Sequence, residues 1–293
     1  MNFSSRFAAL ALSLTTSFGA LAQSAPAADT PPSGNGNGKP LRTEPKWELG
    51  LGVGALSMPD YRGADHQSTF VVPIPYVIYR GDVIKADRSG VRGRFFDSRY
   101  LDVELSINGG VPVRSKDNEA RQGMPDLKPT LEIGPQAIVR LIGSARDTTR
   151  LDLRLPVRSV IASNIRSEGY VFTPALNLSI EPAAKWHFGA QAGLYYGSRG
   201  YHQYLYEVDG KYATATRPAY SARGGYGGWQ ATTSLSRRFD NMWIGGFLRY
   251  SSVSGAVFED SPLVRRKNNL YAGIGISWIL ARADEKVPVT DDE

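Results

Sequence analysis

The chain has 293 residues, of which 42% are hydrophobic and 21% are charged, and its formal net charge is +6 at pH 7. It contains no cysteine, which excludes disulfide-stabilised scaffolds and thiolate metal sites. The mean hydropathy of −0.28 is too polar for a bundle of membrane-spanning helices, so a membrane role would require a β-barrel or a surface protein.

The first 46 residues predict export. Arg6 precedes an apolar run at 7–22 that ends in the small-residue cleavage pattern Ala20-Leu21-Ala22. This run is shorter than the ~20 apolar residues of a spanning helix, so we expect residues 1–22 to be a cleaved signal peptide. Residues 23–46 are rich in Pro, Gly and Asn, which predicts a flexible periplasmic leader. An exported chain with dispersed arginines and no nucleic-acid-binding signature is not expected to bind nucleic acid.

From residue 47 onward, apolar residues alternate with polar residues or glycine, which is the period of a β-strand. The alternation is clearest in WELGLGVGA, which begins at Trp47, and it recurs at 100–113, 149–161, 185–197 and 269–280. Most of these segments exceed the ~5–6 residues typical of strands in soluble domains. They match the ~9–11 residues that a tilted strand needs to cross an outer membrane.

Aromatic residues near the segment ends favour a membrane barrel over a soluble one. They are Trp47, Tyr79, Tyr100, Trp186, Tyr196 and Trp278. Such positions are typical of the aromatic girdles at the two membrane interfaces. The alternative is a soluble β-sandwich or lipocalin-like barrel, in which the apolar face would point inward and the charged face outward.

The connections predict the strand number. Short turns at 96–99, 143–149, 181–184 and 239–241 alternate with longer connections at 114–128, 197–226 and 255–267 and a modest one around 163–168. Outer-membrane barrels pair short periplasmic turns with longer external loops in this way. With strands at 47–57, 68–79, 82–87 and 90–96, the sequence predicts an all-β, antiparallel, up-and-down transmembrane barrel of about 12 strands, with ten as the alternative. We expect the barrel to span residues 47–281 and an acidic periplasmic tail to span 282–293.

Pro73 and Pro75 interrupt the second of these strands. Because proline has no amide donor, the pair predicts a bulge or poor pairing on one side of that strand.

Charged residues fall on the face that the barrel would turn inward. The predicted luminal set is Arg92, Arg94, Asp102, Glu104, Glu132, Arg140, Arg150, Asp152, Arg154 and Arg158. Counting from the turn at 96–99 sets Arg94 opposite Asp102 and Arg92 opposite Glu104. Across the next turn, Arg140 approaches Arg150 or Asp152, and Glu132 approaches Arg158. Two interpretations stay open: a lumen that selects anionic solutes, and a lumen filled by ion pairs that satisfy one another.

The connection at 197–226 is rich in tyrosine and arginine, residue types enriched at binding surfaces. The candidate external contact residues are Tyr201, Tyr204, Tyr206, Tyr212, Arg217 and Tyr220. The alternative is that the loop folds over the barrel mouth and packs its tyrosines there.

The sequence predicts no catalytic site, no cofactor and no metal. Its three histidines, His66, His187 and His202, have no metal-ligand spacing. A membrane-embedded lipase would need its nucleophile and base at the lipid face, which is apolar here.

Several motifs resemble the MipA/OmpV family of outer-membrane proteins. They are MPDYRGAD at 58–65, VPIPYVIYRGD at 72–82, RGRFFDSRYLDVELSINGG at 92–110, YYG at 195–197 and IGGFLRYSSVSGAVFEDSPLV at 244–264. The resemblance implies a non-catalytic barrel in the outer membrane of a Gram-negative bacterium, in contact with its lipid. It further implies a scaffold linking a murein transglycosylase to a peptidoglycan synthase, with a porin-like channel or a surface adhesion protein as the alternative.

Overall fold

The computed structural model describes residues 42–80, 84–87, 90–98, 100–143, 147–182 and 185–289. Its strands are β1 (Arg42–Pro45), β2 (Trp47–Pro59), β3 (Gln67–Arg80), β4 (Ile84–Asp87), β5 (Gly90–Asp97), β6 (Leu101–Gly110), β7 (Thr130–Ile142), β8 (Thr149–Ala162), β9 (Ser167–Phe172), β10 (Ala175–Ile180), β11 (Trp186–Gly197), β12 (Gly225–Arg238), β13 (Met242–Ser252), β14 (Asn268–Arg282) and β15 (Lys286–Val289). An α-helix, α1 (Arg199–Tyr206), and short 3-10 turns at Ser115–Asp117, Glu119–Arg121 and Gly210–Tyr212 lie in the connections.

Within these described ranges, strands β2 to β14 form one antiparallel sheet that closes on itself, because β10 pairs with both β8 and β11. Strands β9 and β10 share these neighbours and are separated only by Thr173 and Pro174, so together they form one interrupted strand. The described sheet therefore follows twelve strand positions around a barrel, which confirms the predicted antiparallel architecture.

No helix in the described part of the chain is long and apolar enough to cross a membrane.

The two faces of the barrel wall differ as predicted for a membrane barrel. Outward-facing apolar side chains are exposed, among them Leu51 at 54% and Ile274 at 61%. Glu48 and Ser277, on the inward face, are fully buried. The arrangement is the reverse of a soluble barrel, so the soluble alternative is wrong.

Five of the six aromatic residues predicted for the interfaces lie within one residue of a strand end, and Trp278 pairs with Met242 at the start of β13. Tyr79, Tyr100, Tyr196 and Trp278 are all exposed on the wall. We call the end of the barrel that carries the connections 60–66, 111–129, 198–224 and 253–267 the long-loop end, and the opposite end the short-turn end.

Strand β3 has one well-paired edge and one poorly paired edge. Its ladder with β2 is unbroken from Trp47 and Tyr79 to Pro59 and Gln67, and it passes through both Pro73 and Pro75. On the other edge, the described residues of β4 pair with Tyr79 and Arg80 and with no earlier residue of β3. Residues two apart direct their amide nitrogens to the same side, so the two prolines remove donors from a single edge. The predicted poor pairing on one side of this strand is confirmed.

The predicted register between β5 and β6 is wrong. The structure pairs Arg94 with Glu104 and Asp97 with Asp102, and the register shifts between Arg94 and Phe96. Arg92 pairs with Lys85 of β4 instead of Glu104. The displacement begins at the turn itself, where Asp97 already lies opposite Asp102, and the β-bulge between Arg94 and Phe96 changes the register again by one residue.

A second, two-stranded sheet lies beyond the short-turn end. Strand β1 pairs antiparallel with β15, from Arg42 opposite Val289 to Pro45 opposite Lys286. We call this pair the terminal ribbon. Its four β1 residues belong to the segment predicted to be a flexible leader, and the structure places them in a strand, whereas residues 23–41 lie outside the described part of the chain.

Candidate functional site

The charged wall of the lumen is organised around Arg158. Its Nε donates to Glu132 Oε2 at 3.0 Å, and its terminal nitrogens donate to Ser106 Oγ at 3.2 Å and Thr173 Oγ1 at 3.0 Å. Glu132 also accepts from Asn108 Nδ2 at 3.1 Å. The predicted approach of Glu132 to Arg158 is therefore present, and the bonds of Arg158 join β6, β7, β8 and the residues between β9 and β10.

The other predicted luminal charges take part in related contacts. Arg140 is directly opposite Asp152 in the ladder, but its guanidinium contacts Asp102 Oδ2 on β6 at 2.5 Å. Arg150, Asp152 and Arg154 are buried within the barrel, and Glu104 accepts from Gln136 Nε2 at 3.0 Å. The side chains of Arg92 and Arg94 lie outside the described residues.

The opposite side of the lumen is apolar, which the sequence interpretation missed. One cluster contains Leu56, Val72, Phe247 and Tyr271. A second, nearer the short-turn end, contains Tyr76, Ile78, Trp243 and Ile279. A signal was present in the run FVVPIPYVIY at 70–79, where apolar residues occupy both faces of the strand, as in strands that are buried on both sides. The two clusters fill the lumen along β2, β3, β13 and β14.

The connections at the long-loop end form a packed cap. Its core is made of Tyr61, Ala64, Val113, Ala120, Leu127, Tyr206, Val208, Ala222, Val253, Ala256, Phe258 and Leu263. At its centre, the ring of Tyr206 stacks on Phe258 with centroids 3.7 Å apart, and the Tyr206 hydroxyl donates to the Arg62 carbonyl at 3.0 Å. Four separate connections therefore close over one end of the barrel.

Several residues predicted as external contacts belong to this cap instead. Tyr206 and Arg217 are buried, and Arg217 donates to the carbonyls of Ala120, Gln122 and Tyr212. Tyr204 donates to Lys128 O at 2.9 Å and Tyr220 to Val257 O at 3.3 Å. These geometries agree with the alternative in which the loop packs over the barrel mouth, while Tyr212 stays half-buried beside Lys211.

His202 on α1 fits against the barrel wall because the wall has glycine there. A Cβ at Gly197 would lie 2.4 Å from His202 Nε2, which real contacts do not allow. The side chain is fully buried, its Nδ1 is 2.7 Å from the Arg223 carbonyl, and its Nε2 has no hydrogen-bond partner. Burial lowers the pKa of His202, with a smaller opposing effect of the bond to Arg223, so the imidazole is neutral near pH 7.

A cavity of about 240 Å³ lies inside the barrel beneath the cap. We call it the chamber. Its roof includes Arg62 from the 60–66 connection and Tyr201 from α1, and its walls include Glu132, Arg158 and Arg249. No group of three or more His, Cys, Asp or Glu side chains suited to a metal ion occurs among the residues that the structure describes.

A family model described as "MltA-interacting protein MipA" matches residues 51–280, which is most of the barrel. The chain belongs to the MipA family. It is 24% identical to the outer membrane protein Omp26La of Vibrio anguillarum over 207 residues, which cover 68% of this chain and 75% of that protein. It is 25% identical to the outer membrane protein OmpV of Vibrio cholerae over 207 residues, with the same coverage of 68% and 75%.

Solved structures that resemble this MipA-family chain are more distant. A bacterial polysaccharide outer membrane secretin has a TM-score of 0.42 and 10% identity, covering 80% of this chain and 99% of that one. The outer membrane phospholipase A of Escherichia coli has a TM-score of 0.29 and 9% identity, covering 79% and 92% of the two chains.

Family membership and the apolar outer wall locate this chain in the outer membrane. In outer-membrane barrels the short turns face the periplasm and the longer loops face outward. The cap of this MipA-family protein is thus external, and the terminal ribbon lies on the periplasmic side.

Proposed function

We propose that this protein is a non-catalytic outer-membrane anchor whose terminal ribbon binds a murein transglycosylase in the periplasm. The observation that carries the proposal is the ribbon itself, because it projects ordered backbone from the short-turn end of a barrel whose lumen is filled. The description of the family as proteins that interact with a murein transglycosylase supports this class of partner.

The ribbon is suited to bind a partner strand. Among the described residues, β1 and β15 form a sheet of their own with no third strand, so a partner strand could be added to it. Open edges are used for β-strand addition, in which backbone hydrogen bonds supply affinity. Lys46 Nζ pairs with Glu285 at 3.0 Å and joins the two strands at the base of the ribbon, and Ala283 N donates to Trp47 O of β2 at 2.9 Å, which ties that base to the barrel.

A peptidoglycan synthase is proposed as the second partner, on the same periplasmic side, so that the anchor would hold a hydrolase and a synthase near each other. In this proposal the barrel anchors the ribbon in the outer membrane. The cap and the chamber do not reach the periplasm. Such a role needs no chemistry from the barrel.

The arrangement of the histidines supports a non-catalytic role. His66 Nδ1 and Ser68 Oγ both contact the same carboxylate, Asp60, at 3.1 Å, so the serine is bonded to the acid and not to the base. A nucleophilic triad requires the base to contact the hydroxyl. His202 contacts a backbone carbonyl, and His187 lies 3.8 Å from Glu181.

The porin-like alternative is disfavoured by the filled lumen. Residues that would line a water-filled channel at the short-turn end are buried instead, including Glu48 at 0% and Trp243 at 6% exposure. A channel would leave such side chains in contact with water.

The proposal is tested by immobilising the purified barrel and measuring the binding of a lytic murein transglycosylase by surface plasmon resonance. Deletion of residues 286–293 removes β15 and leaves β1 without its partner, so we expect binding to weaken by at least about tenfold, equivalent to ~1.4 kcal/mol. Deletion of 290–293 alone is the matched control, because it removes acidic residues and keeps the ribbon. Equal binding by the wild type and the 286–293 deletion would contradict the docking role.

A further inference from the structure

The chamber beneath the cap has an excess of positive charge. Its cationic lining residues are Arg62, Lys128, Arg154, Arg158 and Arg249, and its carboxylates are Asp60 and Glu132. Glu132 is bonded to Arg158 and Asn108, and Asp60 accepts from Asn118 at 2.8 Å and from Ser68 at 3.1 Å. Both carboxylates are therefore already engaged by other groups.

Arg62 and Arg249 have no carboxylate partner among the residues that the structure describes. The Arg62 guanidinium lies 4.6 Å from the Tyr195 ring centroid and donates to Gln230 Oε1 and Trp229 O, both at 3.1 Å. Its Nε is buried without a hydrogen-bond partner. Arg249 makes one hydrogen bond, from Nε to Thr232 Oγ1 at 3.2 Å, so its two terminal nitrogens have donors left for the chamber.

Uncharged hydrogen-bond donors also line the chamber. The hydroxyls of Tyr195 and Tyr201 are 3.0 Å apart, and two hydroxyl groups that share one hydrogen bond leave one proton to donate elsewhere. Burial raises the pKa of Tyr201 well above its ordinary value, so this group stays protonated. Since Gln230 Oε1 accepts from Arg62, the amide nitrogen of Gln230 is a further donor.

We propose that the chamber is a binding site for a small oxyanion, a carboxylate or a phosphate, held by Arg62 and Arg249. Guanidinium groups bind such anions in bidentate fashion, and the ion compensates positive charge that is otherwise costly inside a barrel. The volume of about 240 Å³ lies below the ~300–1,000 Å³ of pockets for drug-sized ligands, which limits the ligand to a small molecule.

The wall of the chamber has an edge through which such a ligand can enter. Six consecutive residues, from Ser106 to Val111, line the chamber, so both faces of the end of β6 border it. Among the described residues, β5 pairs with β6 only from Asp102 to Glu104, and the facing edge of β3 pairs only at Tyr79 and Arg80. The end of β6 that borders the chamber thus has no strand paired to its β5 side among the described residues, and a small ligand would enter there.

The test is isothermal titration calorimetry of the folded protein in detergent micelles, with inorganic phosphate, benzoate and uncharged benzamide as separate ligands. We expect phosphate or benzoate to bind and benzamide not to bind, and the two anions distinguish a phosphate site from a carboxylate site. Arg249→Gln should weaken binding about ten- to a hundredfold, the effect of losing hydrogen bonds to a charged group. Arg166→Gln, at an exposed external turn, is the matched control and should bind like the wild type.

Tyr201→Phe keeps the ring and removes the hydroxyl, so it should also weaken binding while keeping the cap folded. It provides a second measurement if Arg249→Gln does not fold, which heat-dependent gel mobility detects. Absence of binding by both anions to the wild type would overturn the proposal. So would binding of benzamide equal to that of benzoate, or unchanged affinity in the folded Arg249→Gln and Tyr201→Phe proteins.

Discussion

The pair formed by Glu132 and Arg158 shows how the lumen is held together at the level of single residues. Both side chains are buried, and their atoms meet at 3.0 Å. A buried pair contributes little compared with an apolar pair of the same shape, but removal of one partner leaves an uncompensated charge.

This asymmetry predicts the outcome of a double-mutant cycle. Arg158→Met should destabilise the barrel by about 3–5 kcal/mol, because Glu132 would stay buried without its main partner. Combining it with Glu132→Gln should restore most of that loss. The measurement is reversible urea unfolding from lipid vesicles, with Arg166→Gln as an exposed control that should change stability by less than ~0.5 kcal/mol. If Arg158→Met lowered the free energy of unfolding by less than ~1 kcal/mol, the ion pair would not be important for the stability of the barrel.

His202 makes the cap sensitive to acid. Its folded-state pKa is lowered by burial, so folding favours the neutral ring, and the stabilisation is complete above the ordinary pKa of ~6.5. It is lost as the pH falls toward the lowered value, because a proton on Nε2 has no acceptor and the ring is near the positive charge of Arg62. The tyrosines Tyr201 and Tyr206 that contact the ring stay neutral in this range, since burial raises the pKa of both.

We therefore expect hydrogen exchange of the α1 amides to be several-fold faster relative to the barrel strands at pH 5 than at pH 7.5. His202→Gln keeps a side chain that can donate to the Arg223 carbonyl but cannot be protonated, so its relative exchange should be independent of pH. The same acid sensitivity in His202→Gln would assign the effect to another group.

The second edge of strand β3 bears on whether the protein associates with other copies of itself. Among the described residues, β4 pairs with only the end of its second edge, and open edges promote association between molecules unless they are blocked. Pro73 and Pro75 block this edge because they offer it no amide donors.

Replacement of both prolines by valine should leave the ladder with β2 intact and allow self-association through the opposite edge. The measurement is multi-angle light scattering of the folded protein in micelles, where the wild type should have a smaller mass than the Pro73→Val, Pro75→Val variant. Pro135→Val is the matched control, because β7 has neighbours on both sides. A monomeric double variant would show that the prolines do not protect the edge.

The position of a strand, its register and the packing of the loops differ in how well the sequence predicts them. Alternation at Leu49, Leu51 and Val53 predicts both the strand and its lipid-facing side, because the side-chain period is fixed by the backbone. The pairing of Arg94 with Glu104 was not predictable, because side-chain alternation fixes neither the register at the turn nor the bulge that follows it. The stack of Tyr206 on Phe258 joins two connections that have no periodicity, and the four residues of β1 pair only because β15 lies beside them.

At the scale of the whole molecule, the barrel is closed at three levels. The cap covers the external end, ion pairs such as that of Glu132 with Arg158 cross the middle of the lumen below the chamber roof, and the cluster of Tyr76, Ile78, Trp243 and Ile279 fills the periplasmic end. The periplasmic layer is also tied by charge, because the Arg238 guanidinium contacts Glu48 at 2.7 Å and Tyr76 Oη at 3.1 Å. The two proposed sites are therefore at opposite ends: the chamber lies beneath the external cap, whereas the proposed periplasmic partner would meet the ribbon and the short turns.

This layered closure predicts the electrical behaviour of the protein. Purified, folded barrel in a planar lipid bilayer should give no steady single-channel steps. The cap and the periplasmic cluster should each be sufficient to block the passage of ions. Deletion of residues 200–222 removes α1 and the centre of the cap, yet it should also leave the bilayer without steady conductance, since Trp243 and the bond between Glu48 and Arg238 remain. The same deletion should speed the exchange of a chamber ligand. Steady, anion-selective steps in the wild type would restore the porin-like alternative. Steps that appear only after the deletion would show that the cap alone closes the barrel and that the periplasmic cluster is permeable.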